Sequence, residues 1–126
     1  MGAMKIKFFI PGTPRTKKNS GRVTRSHMVL PSKAYIAYED ACSWLIPKEA
    51  RLNISVPTNC KTVFYMPTSV PKVDLPNLIN AIHDILVKNN VYKDDNSNII
   101  CSVDGSKVVH GCDKKDTGVL IEIEVL

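Results

Sequence analysis

The sequence predicts an α+β fold, a single mixed β-sheet with two main helices. Three observations predict it. Short apolar or alternating runs of strand length recur at residues 5–10, 58–65, 99–103, 107–110 and 119–126. Two longer stretches, 33–46 and 76–87, carry apolar residues at the three- and four-residue spacing of a helix. The two kinds of segment are interleaved irregularly, which suits one α+β sheet better than a repeated βα series. At 126 residues the chain has the length of one domain. Met1-Gly2-Ala3-Met4 reads as an expression scar, so residues 1–4 are set aside and 5–126 form the single domain.

In chain order, KIKFFI (5–10) reads as a first strand, ended by Pro11-Gly12-Thr13-Pro14. The stretch RTKKNSGRVTRS (15–26) is polar and basic and is expected to be an exposed loop, with a short strand at 28–30. Ser32 offers an N-cap for a helix over 33–46, in which Tyr35, Tyr38, Cys42 and Leu45 should face the core. Trp44 fits either packing or an exposed role, and Pro47 ends the helix. A second strand over 58–65 is followed by the loop 68–73, which delivers the chain to Asp74. Pro76 suits the first turn of the next helix, where its missing N–H costs nothing. There Leu78, Ile79, Ile82, Ile85 and Leu86 form an apolar face, and Asn77, Asn80, Asp84 and Lys88 share the polar one. Asn89-Asn90 stops that helix. Runs 99–103 and 107–110 around Asp104-Gly105 predict a hairpin, and VLIEIEVL (119–126) predicts a half-buried strand.

Charge is divided along the chain. Residues 1–63 hold eleven Lys and Arg against three acids, whereas residues 64–126 hold six against nine. Every charged residue before Glu39 is positive. A basic cluster points to a polyanion, and a separate acidic set points to a cation. Arg15, Lys17, Lys18 and Arg22, followed by Arg25 and Lys33, are candidate phosphate contacts, since no acid lies within the 15–26 segment.

The acids of 73–100 suggest the chemistry. Asp74, Asp94 and Asp95, with Asp84 in reserve, are candidate ligands for a divalent ion acting on phosphate, because magnesium takes oxygen donors and is commonly held by one or two carboxylates. Each also has a plainer role. Asp74 could cap a helix, Asp84 could be solvated, and Asp94-Asp95-Asn96-Ser97-Asn98 has turn composition. Asp74 and Asp84 lie on the order of 15 Å apart along a helix and cannot readily share one ion.

Other classes are excluded or disfavoured. No apolar run has the length of a membrane span, and no signal-peptide pattern is present. Cys42, Cys60, Cys101 and Cys112 show neither zinc spacing nor a disulfide framework, which fits reduced, packing thiols in a cytoplasmic protein. No metalloprotease helix, serine-nucleophile elbow, P-loop or dinucleotide fingerprint occurs.

The segments FFIPGTPRTKKNSGR, PSKAYIAYEDA and VFYMP, and above all VDLPNLINAIHDIL followed by VYKDDNSNII, resemble the RusA-type Holliday-junction resolvases of bacteria and their phages. The resemblance covers nearly the whole chain. It implies a homodimeric endodeoxyribonuclease of DNA recombination and repair, dependent on Mg2+ with Mn2+ as substitute, that binds four-way junctions and makes paired nicks. It places Asp74 at the first aspartate of a D-x-D-N motif, Asn77 at its asparagine, and Asp95 at the last catalytic aspartate, with Asp94 beside it. Arg15, Lys17, Lys18 and Arg22 fall where DNA-backbone contacts are expected. Two positions depart from the pattern. Pro76 stands at the motif's second aspartate, and Asn80 stands where a lysine is common. The alternative reading is therefore a junction-binding protein with weak or no catalysis.

Overall fold

The computed structural model describes residues 4–17, 22–23, 29–30, 32–69 and 73–126. It has the expected class: a five-stranded mixed sheet with two helices. The elements are β1 (Lys5–Pro11), β2 (Arg22–Val23), β3 (Val29–Leu30), α1 (Lys33–Leu45), β4 (Thr58–Pro67), α2 (Leu75–Lys88), β5 (Ile100–Ser102), β6 (Lys107–Cys112) and β7 (Gly118–Val125). The C-terminal β7 lies between β1 and β4 and is antiparallel to both, while β2 and β3 form a separate small ribbon.

The sequence reading of residues 99–110 needs a correction. β5 and β6 do not pair with each other as a hairpin; both run parallel to β4, one after the other along the same edge. A parallel neighbour needs a crossover, and α2 provides it between β4 and β5. The Asp104-Gly105 turn is real, with Gly105 at φ 88° and Ser106 N–H donating to Val103 O at 3.1 Å. It makes a jog in an edge rather than a reversal, because β4 groups hold both sides of it. Asn59 Oδ1 accepts from Asp104 N–H at 2.8 Å and from Ser102 Oγ, and Ser106 Oγ accepts from Thr62 N–H at 3.0 Å.

Inward side chains of the sheet pack against both helices. Phe8 and Ile10 of β1, Cys60, Phe64 and Met66 of β4, and Val119, Ile121 and Ile123 of β7 join Tyr35 and Cys42 of α1 and Leu78, Ile82, Ile85 and Leu86 of α2. Burial raises the thiols of Cys42 and Cys60 to about 11, so both are neutral packing groups. All four cysteines are free. The opposite face of the sheet carries a charged ladder in which Glu122 meets Lys61 at 3.3 Å and Lys5 at 3.8 Å.

Ser32 caps α1 as expected, its Oγ accepting from Tyr35 N–H at 3.0 Å. Leu45 departs from expectation: it is 42 % exposed, and Ile46, just past the helix, takes the core position at 3 %. The helix has ended there, so the next side chain no longer follows its period. Trp44 points into solvent at 84 % exposure. Arg51 ties the end of α1 to the end of α2, donating to the carbonyls of Ser43 and Ile46 and, at 3.2 Å, to Asn89 Oδ1. Lys88 adds an ion pair to Glu39 at 2.9 Å.

Candidate functional site

α2 presents its polar face away from the core. Asp74 occupies the N-cap position but makes no side-chain capping bond; its main-chain carbonyl accepts from the N–H groups of Asn77 and Leu78. Its exposed carboxylate is therefore not used in capping among the described residues. Pro76 fills the first turn, as its fixed φ allows. From the first turn onward, Asn77, Asn80, Ala81 and Asp84 line a cleft of about 130 Å3, together with Lys17.

The second set of acids lies in the loop after α2, and its frame is well fixed. Val91 and Tyr92 are fully buried, and Tyr92 bridges to Ile54 while its hydroxyl pairs with Thr58 Oγ1 at 2.9 Å. Beyond the loop, Ile99 and Ile100 N–H both donate to Asn96 O, and β5 begins. Between these anchors Asp94 and Asp95 are exposed and differ in their bonding. Asp94 accepts from Asn96 Nδ2 and from Asp95 N–H, each at 2.8 Å. Those bonds, the Asn96 amide first, hold its carboxyl below the usual carboxylate range. Asp94 thus organises the loop that carries Asp95.

His83, on the flank of α2, feels the charges of both Asp95 and Asp84. It is 7 % exposed, and its Nε2 is buried with no hydrogen-bond partner among the described residues. Burial lowers its pKa, partly opposed by the charges of Asp95 and Asp84. Asp95 therefore acts on the middle of α2, whereas Asp74 stands at its start. No group of three or more His, Cys, Asp or Glu among the described residues is arranged to hold a metal ion. In donor chemistry the exposed carboxylates suit a hard cation that takes one or two of them and fills its shell with water and phosphate oxygen.

Of the basic candidates, Arg15 and Lys33 are exposed. Lys17 Nζ lies 3.2 Å from Asp84 Oδ2 and 5.6 Å from the centre of the Tyr35 ring. Lys18 and Arg25 lie outside the described residues, and Arg22 is described only as part of β2. The 15–26 segment is less exposed at its start than its composition suggests. Thr16 is 5 % exposed, Pro14 is buried, and Gly12 N–H donates to Thr117 O at 3.1 Å. The Lys17–Asp84 pairing escaped sequence reasoning, since nothing local links residues 67 positions apart.

The protein is a small α+β domain in which Lys17, from the segment after β1, meets Asp84 on the polar side of α2. A model of the endodeoxyribonuclease RusA family matches residues 11–124, nearly the whole chain, and the protein belongs to that family. The family is one of endonucleases that resolve Holliday junctions in recombination. No curated protein matches the chain. No helix among the described residues is long and apolar enough to cross a membrane.

Proposed function

We propose that the protein is a magnesium-dependent endodeoxyribonuclease that resolves four-way DNA junctions by paired nicks as a homodimer, with Mn2+ able to replace Mg2+. The observation that carries the reading is the pairing of family membership with two exposed carboxylates, Asp95 and Asp74, the latter without a side-chain capping bond among the described residues. Asp74 and Asp95 would hold the ion, with Asp94 setting the loop that presents Asp95. The ion, when bound, offsets charge on the phosphate and lowers the pKa of its water. The chain's own residues position the DNA. Arg15, Lys17, Lys18, Arg22, Arg25 and Lys33 meet backbone phosphates, and Asn77 donates from the first turn of α2. Two-fold symmetry of a junction asks for two such sites, hence a homodimer.

Junction cleavage with and without magnesium, wild type against Asp95→Asn, tests this reading. Metal-dependent nicks that vanish in Asp95→Asn while junction binding persists are expected. Undiminished cleavage by the variant would falsify the site.

One observation favours a second reading: Pro76 occupies the first turn of α2, where the resemblance places the second aspartate of the D-x-D-N motif, so the protein would bind junctions and cut them weakly or not at all. Pro76→Asp discriminates the two. A gain of nicking in that variant identifies the missing carboxylate as the limiting defect, and unchanged nicking removes that explanation.

A further inference from the structure

We infer that Lys17 is a preset phosphate-contacting residue on the polar face of α2, and that Asp84 is its positioning partner rather than a metal ligand. The inference rests on the nuclease reading and deepens it.

A lysine on a surface arm ordinarily samples many rotamers, and ordering it on binding costs affinity. Lys17 is already placed. The backbone before it is anchored at Gly12, Pro14 and Thr16, as described above. Its ammonium is held from one side by Asp84 Oδ2 at 3.2 Å and lies 5.6 Å from the centre of the Tyr35 ring, which is 1 % exposed. An ammonium has three donors and Asp84 takes one. The cleft in front of Lys17 is lined by Asn77 and Asn80, whose amides also offer N–H donors, and about 130 Å3 is room for one phosphate group. Asn77 follows Asp74 by three residues and Asp84 follows it by ten, so the cleft lies on the Asp74 side of the helix. Lys17 and Asp84 are each about two-fifths exposed, open to a ligand from solvent. Asp84, one of whose carboxylate oxygens already faces an ammonium, is a poor choice for a second cation.

Two readouts test the assignment. The first is binding of a four-way junction without magnesium, measured against salt in wild type, Lys17→Ala, Asp84→Asn and the double variant. Lys17→Ala should reduce the salt slope by about one ion. Asp84→Asn should weaken binding roughly fivefold when Lys17 is present and not at all when Lys17 is absent, the non-additivity of groups that act together. The second readout is Mn2+ binding by the DNA-free protein, which should be unchanged in Asp84→Asn. Tighter junction binding by Asp84→Asn, Mn2+ affinity lowered as in Asp95→Asn, or an unaltered salt slope in Lys17→Ala would each overturn the assignment. Wild-type protein that binds junctions without nicking them sinks the nuclease reading but leaves this one measurable. Wild-type protein that ignores branched DNA sinks both.

Discussion

The two faces of α2 obey different rules. On the inner face, Leu78, Ile82, Ile85 and Leu86 are at most 2 % exposed, each fixed by contact with the sheet. On the outer face, among the described residues, Asp74 makes no side-chain capping bond, Asn77 and Asn80 line the cleft beside Lys17, and Asp84 pairs with that long-range lysine. The inner face is redundant, since many residues share one job and any apolar residue of similar volume could serve. The outer face is not, because each position offers a distinct donor or acceptor at a set height along the helix. Stability should therefore respond to one face and chemistry to the other, and single substitutions can break the helix's roles apart.

The largest effect is expected on the chemical side. Asp74→Asn and Asp95→Asn should each lower junction cleavage on the order of a thousandfold, about 4 kcal/mol of barrier, while the thermal midpoint stays near wild type. Exposed carboxylates without buried partners carry little folding energy, so a collapse of stability in either variant would contradict the division. Ile85→Ala on the other face should do the reverse. It removes a fully buried side chain from the α2–sheet contact and should cost roughly 2–5 kcal/mol in denaturant unfolding. At temperatures where the variant remains folded, its cleavage rate should stay within a few-fold of wild type. A large rate loss in the folded variant would mean that the packing face also sets the chemistry.

A smaller effect probes the frame shared by both faces. Asn59→Ala removes the acceptor that holds Asp104 N–H and Ser102 Oγ at the jog between β5 and β6. A loss of about 1–2 kcal/mol is expected, because these groups are only partly shielded from water. The same jog marks where sequence reading ran out. Helix α2 was legible from its period, β7 from its alternation and the Ser32 cap from its residue type, since each signal lies within a few positions. Asp104-Gly105 was legible as a turn, but a turn does not say which strand its arms will join. That was decided by Asn59 and Thr62, over forty residues earlier. Lys17 and Asp84 fail to announce each other for the same reason. The acid loop was legible as acids, whereas the division between Asp94, which takes local bonds, and Asp95, whose backbone N–H supplies one of them, is set by the loop's three-dimensional turn.

The smallest effect belongs to the residue that fits neither face. His83 is buried like a core side chain yet feels the charges of Asp95 and Asp84. Burial dominates, so its folded pKa lies below the ordinary value of 6.5. The unfolded chain then binds more protons than the native one between the folded pKa and 6.5. His83 is neutral in both states above 6.5 and costs nothing there by this route. As pH falls through that window, stability is lost, because a buried imidazole must be charged or the chain must open. Thermal midpoints measured at about pH 7.5 and about pH 5.5 should therefore fall further for wild type than for His83→Leu, which keeps the volume and removes the proton site. Equal losses in the two proteins would mean that the nearby carboxylates offset the burial, and His83 would then belong with the outer face rather than the inner one.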